Sequence, residues 1–118
     1  MPNVMFLDDS EERYTAIRAA HPDWTIDWAK TAAEAIGLIA QNANRPYDTV
    51  MLDHDLGCPV ISGSHVVAAL AAFDSYKESQ IVIHSSNPVA ARKMKNILGD
   101  AGFTVVILVA FPLLVSQK

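Results

Sequence analysis

The chain has 118 residues, a length that fits one domain of about 100–150 residues, and residues 1–118 are read as a single unit. With 51% apolar and 19% charged residues it has ample material for a packed core, which excludes a disordered tract. Nine Lys/Arg against thirteen Asp/Glu leave a net charge of −4, so no general electrostatic attraction to nucleic acid is expected, and the lone cysteine, Cys58, excludes an internal disulfide.

Asn3 to Leu7 reads as a buried strand stopped by Asp8 and Asp9. No basic stretch followed by a long apolar core precedes it, so the start is not read as a signal peptide. Ser10 to Ala20 follows as a helix: Ser10 caps it, Glu11 and Glu12 suit its positive end, and Tyr14, Ile17 and Arg18 recur at helical spacing. Trp24, Ile26 and Trp28 alternate with Thr25 and Asp27, the period of a strand that places both tryptophans in the core. Thr31 and Glu34 form a capping-box pattern, and Ala35, Ile36 and Ile39 carry a second helix to about Gln41.

After a turn at Asn44-Arg-Pro46, Tyr47 to Leu52 is a third strand, ending in Asp53, His54 and Asp55. A loop with Gly57, Pro59 and Gly63 leads to a helix from Ser64 to Phe73, and Gln80 to Ile83 is a fourth strand. Asn87-Pro88 opens a helix with proline at its first position. It carries Met94, Ile97 and Leu98 on one face and Arg92, Lys93 and Lys95 on another, with Arg92 toward solvent, and Gly99 or Gly102 ends it. Phe103 to Val109 is a fifth strand. The apolar tail to Val115 is shorter than the roughly 20 residues of a membrane span and is broken by Pro112. His21 and His65 belong to no motif and read as surface or helix-packing residues.

Five strands alternating with four helices predict an α/β fold: a three-layer, doubly wound, parallel five-stranded sheet, with the last helix short or missing. Right-handed crossovers place the carboxyl ends of all strands on one edge, where ligands of open α/β sheets bind. That edge collects Asp8 and Asp9, then Asp53, His54 and Asp55, then His84, Ser85, Ser86 and Asn87. Aspartates gathered together repel, so the fold either raises their pKa values or takes up a cation, for which Mg²⁺ or Mn²⁺ suits the oxygen donors and Zn²⁺ the histidines. Plain alternatives exist: Asp9 or Ser10 as a helix cap, Asp55 as a loop stabiliser, and Asn87 as a cap.

The acidic pair, Asp53 and Gly63 resemble response-regulator receiver domains of flavodoxin-like topology, a resemblance that implies an Mg²⁺ site and a phospho-accepting Asp53. Against phosphotransfer, His84 stands where a Ser/Thr is expected, and Val109-Ala-Phe-Pro112 lacks the usual lysine. Leu52-Asp-His-Asp-Leu56 and His84-Ser-Ser-Asn-Pro88 resemble more closely the cyclic-phosphate processing receiver domain, over about residues 4–112. That resemblance implies a phosphoesterase acting on 2′,3′-cyclic phosphate RNA ends or cyclic nucleotides. The chemistry suits His54 and His84 to the base and acid roles, with Asp53 as a further catalytic candidate, Asp8, Asp9, Asp53 and Asp55 for a metal and Ser85, Ser86 and Asn87 for phosphate. The rival readings are a non-catalytic protein-binding module, using a sheet flank left uncovered for a homodimer or partner, and a phosphorylated receiver. The expected location is the cytoplasm, with no membrane partner.

Overall fold

The computed structural model describes residues 3–52, 63–84 and 88–108. Within them lie five strands, β1 (Asn3–Leu7), β2 (Thr25–Ala29), β3 (Thr49–Leu52), β4 (Gln80–His84) and β5 (Thr104–Leu108). Four helices accompany them: α1 (Glu11–Ala20), α2 (Ala32–Gln41), α3 (Gly63–Ala71) and α4 (Pro88–Asp100). The strands form one parallel sheet in the order β2-β1-β3-β4-β5, as the alternation of strands and helices predicts.

Burial explains the order. Val4–Leu7 of β1, Val50–Leu52 of β3 and Ile81–His84 of β4 are buried on successive residues, which requires cover on both faces and places these strands inside. β2 alternates exposed and half-buried residues and takes one border of the sheet. One core layer joins Met5, Leu7, Val50, Leu52, Ile81 and Ile83 to α2, α3 and α4 through residues such as Ile39, Leu70 and Leu98. A smaller layer on the opposite face holds Val4, Phe6, Met51 and Val82 against Ile17 of α1, with Tyr14, Trp24, Ile26 and Trp28 packed beside them.

Local chemistry sets the helix ends. Ser10 Oγ accepts the Arg13 N–H at 3.2 Å and Thr31 Oγ1 accepts the Glu34 N–H at 3.1 Å, so both expected caps form. The Glu34 carboxylate returns to the Lys30 N–H, one residue before the cap. α4 runs through Gly99 and stops at Gly102, whose φ of +94° closes the helix. Phe103 N–H donates to Leu98 O and Gly102 N–H to Gly99 O, both at 3.0 Å, the paired bonds of a Schellman motif.

Several expected details shift. Trp24 sits in the turn before β2, stacked on His21 at 3.6 Å, because its N–H closes a turn onto His21 O instead of entering the sheet. β3 starts at Thr49, not Tyr47. α3 ends at Ala71, before the expected Phe73, and a 3₁₀ turn from Asp74 to Glu78 follows. That tight turn drives Tyr76 into the core, edge-on to Phe73, with its hydroxyl donating to Ile39 O at 2.9 Å. On α4 the buried stripe is Ala91, Met94 and Leu98, while Ile97, about 60° beyond Met94 around the axis, is 47% exposed. His21 is buried as a packing residue and His65 is exposed. Among the described residues no helix is long and apolar enough to cross a membrane.

Candidate functional site

The site is built from strand register. Leu7, Leu52 and Ile83 form the last shared row across β1, β3 and β4. One residue further along β1 stands Asp8, and one further along β4 stands His84. Their side chains fall on the face that carries Phe6, Met51 and Val82. β3 lies between the two strands, so their backbones are roughly 10 Å apart, two inter-strand spacings. The side chains close that gap: His84 Nδ1 lies 3.7 Å from Asp8 Oδ2, and the imidazole stacks on the Phe6 ring with centroids 5.1 Å apart and planes 8° from parallel.

Asp8 is fully buried and held from several sides. Its N–H donates to Ala29 O at 3.1 Å, extending the β1–β2 ladder by one residue. Its Oδ1 accepts the Ser10 N–H at 2.9 Å, and Arg13 Nη1 lies 3.4 Å from Oδ2. Its backbone carbonyl accepts the indole N–H of Trp28 at 2.8 Å. Burial nevertheless lifts the Asp8 carboxyl above its ordinary pKa, outweighing the Ser10 N–H and the Arg13 charge that pull it down.

His84 is buried, and burial together with the Arg13 charge pushes its pKa down to about 3. An imidazole titrating near neutrality is the ordinary expectation for histidine, and here it does not hold. The residue is neutral across the working range, so its approach to Asp8 is a contact of a neutral ring with a carboxyl group, not an ion pair. Asp9 is exposed.

Asp8 and His84 are thus brought together as the edge argument requires. Asp53, His54, Asp55, Ser85, Ser86 and Asn87 lie outside the described residues, and among the described residues no group of three His, Cys, Asp or Glu side chains is poised for a metal. Two members of the site carry no sequence expectation. Arg13 presents a half-exposed guanidinium to Asp8 from the first turn of α1, where side chains lean back toward the helix start and hence toward the edge. Trp28, read as core, is half-buried and bonds the Asp8 backbone.

Fold and edge together define a receiver-like α/β domain. Solved structures agree on that fold. The phosphorylated cyanobacterial phytochrome response regulator RcpA is 18% identical, with a TM-score of 0.74 over 98% of this chain and 86% of its own. Vibrio cholerae CheY4 is 21% identical, with a TM-score of 0.68 over 92% of this chain and 86% of its own. A response regulator from Burkholderia multivorans is 22% identical, with a TM-score of 0.66 over 98% and 91%. The model of the cyclic-phosphate processing receiver domain matches residues 3–100, and the chain belongs to that family. No curated protein matches it.

Proposed function

We propose that this domain is a phosphoesterase that opens cyclic phosphates, at RNA ends or in nucleotides. The observation that carries the reading is the convergence of Asp8 and His84 at 3.7 Å, from strands that are not neighbours, beside the Arg13 guanidinium. Family membership supports the substrate class.

Opening a cyclic phosphate requires a base for the attacking water, an acid for the leaving oxygen, and positive charge on the phosphoryl oxygens. His84 is already unprotonated and takes the base role. Burial is the main reason this imidazole is a weak base, and docking of an anion on Arg13 offsets the lesser cause, the Arg13 charge. The water oxygen bonds to phosphorus, its proton passes to the imidazole, and the ring P–O bond breaks. His54 supplies a proton to the departing oxygen, with Asp53 beside it. Arg13 holds the phosphoryl oxygens, and Ser85, Ser86 and Asn87 complete the cradle where α4 begins. A divalent cation, Mg²⁺ or Mn²⁺, fits the donor set: Asp8 is a carboxyl whose burial raises its pKa despite Arg13, and a bound cation would offset that cost of ionisation. Asp8, Asp9, Asp53 and Asp55 would hold it, and when bound it would polarise the phosphate.

The test is hydrolysis of a panel of 2′,3′- and 3′,5′-cyclic nucleotides with Mg²⁺ or Mn²⁺. His84→Ala and the bulkier His84→Gln should each lower turnover by about 10² or more with the fold retained by circular dichroism. Unchanged turnover removes His84 from the mechanism, and no turnover by the wild type removes the reading. A second reading, a protein-binding module, draws on the exposure of Val89 (78%) and Ile97 on α4 and Val106 on β5. It takes over if the whole panel is inert.

A further inference from the structure

We infer that Trp28 is a positioning residue, which fixes the Asp8–Asp9 peptide plane through its indole N–H and so sets the placement of the acidic pair. This rests on the phosphoesterase reading for its catalytic consequence, though not for its geometry.

The Asp8 carbonyl and the Asp9 N–H belong to one planar peptide unit, which turns only as a whole. The Asp8 N–H donates to Ala29 O, so its carbonyl faces β2 as well, beyond the last registered pair of that ladder, Leu7 and Ala29. That carbonyl is taken by Trp28 Nε1 at 2.8 Å. Asp8 is fully buried, so loss of the indole donor would strand a buried acceptor and favour rotation of the peptide toward water. Such a rotation changes ψ of Asp8 and φ of Asp9 and so resets the step from the buried acid to the exposed one.

A hydrogen bond aims a peptide only if its donor is itself aimed, and the indole is held by two ring contacts. The Tyr14 ring stacks on Trp28 with centroids 4.2 Å apart and planes 9° from parallel. The Lys30 ammonium lies 4.6 Å from the Trp28 ring centroid. Tyr14 is held in turn by Arg18, whose Nη1 donates to its hydroxyl at 3.4 Å. Tyr14 also neighbours Arg13 on α1, so the helix that brings the guanidinium to Asp8 also clamps the ring that orients it. An indole N–H taken from water needs an acceptor, and here that acceptor is the backbone of a site residue.

Two replacements separate positioning from packing in the intact chain. Trp28→Phe keeps a ring in the stack, and incorporation of benzothienylalanine at position 28 exchanges only the indole N–H for sulfur. NMR of the backbone and carboxyl carbons reads the geometry without any reaction. Both replacements should shift or split the Asp8 and Asp9 signals, while those of Asp27, on the same strand as Trp28, stay in place. Hydrolysis of a cyclic nucleotide should show kcat lower by about tenfold or more with KM changed less than threefold, since the acids act on the reacting phosphate and not on the remainder of the substrate. Unmoved Asp8 and Asp9 signals overturn the inference, as does kcat retained in both variants. Loss of kcat by Trp28→Phe with retention by the benzothienyl variant also overturns it, since ring size would then be the cause. An inert wild type defeats the phosphoesterase reading alone, and the NMR arm still decides whether Trp28 sets the peptide plane.

Discussion

At the scale of single residues, the site places a carboxyl group where water would be preferable. Asp8 is fully buried and its pKa is raised, so the folded state favours its protonated form. The corresponding stability is full below the unfolded value and is lost as pH rises through the folded one, which leaves the ionised carboxylate as a cost at neutral pH. Asp8→Asn should therefore raise the melting temperature at pH 7 by a few degrees, because an amide oxygen can still accept the Ser10 N–H and Arg13 is half-exposed enough to be hydrated. The same variant should have little or no phosphoesterase turnover. Thermal denaturation checks the first outcome, and a fall in melting temperature would contradict it. Asp8 and His84 were legible as strand-end polar groups. Arg13 was not, because a cation in the first turn of a helix reads as a solvated side chain until the cap at Ser10 fixes which way the helix starts. The protonation of His84 was hidden as well, since it depends on Phe6 and Arg13, which are remote from it in sequence.

At the scale of elements, the alternation of apolar runs with capped helices was enough to predict five strands, four helices and their parallel arrangement. The misses occur where tertiary packing overrides local pattern. The 3₁₀ turn at Asp74–Glu78 has no sequence period of its own and exists where Tyr76 reaches Ile39. Of the two glycines offered as the end of α4, only backbone geometry distinguishes them. Gly102 has φ of +94° and room for a methyl group, its nearest neighbours being the Lys77 chain at 3.9 Å. Gly102→Ala should therefore cost about 1 kcal/mol through backbone strain alone. Gly37, in the middle of α2, has nothing within 4 Å of an added methyl, so Gly37→Ala should stabilise by about 0.5–1 kcal/mol. Urea unfolding of the two variants should move the midpoint in opposite directions.

At the scale of the whole molecule, buried tyrosines tie distant elements together. Tyr76 links the 3₁₀ turn to α2, and Tyr47 donates to Asp27 at 2.7 Å while accepting from Asn42 at 3.1 Å. Burial pushes Tyr76 up to about 12 from an ordinary 10.0, and burial with the Asp27 carboxylate raises Tyr47 further. A raised folded pKa gives stability that is full below about pH 10 and is lost as pH climbs through the folded value. Urea midpoints should accordingly hold to about pH 10 and fall above it. Tyr76→Phe should lose about 1–3 kcal/mol at pH 7 with its hydrogen bond, and its alkaline decline should be shallower than that of the wild type. An identical decline would exclude Tyr76 as a contributor.

β3 separates the strands that bear Asp8 and His84. A ribosome extruding this chain releases the acid early and the imidazole much later, and the two cannot meet until the middle strand and its neighbour have both slotted in. Their pairing would thus arrive late in assembly, and two severed halves should regain it only on re-forming the complete sheet together.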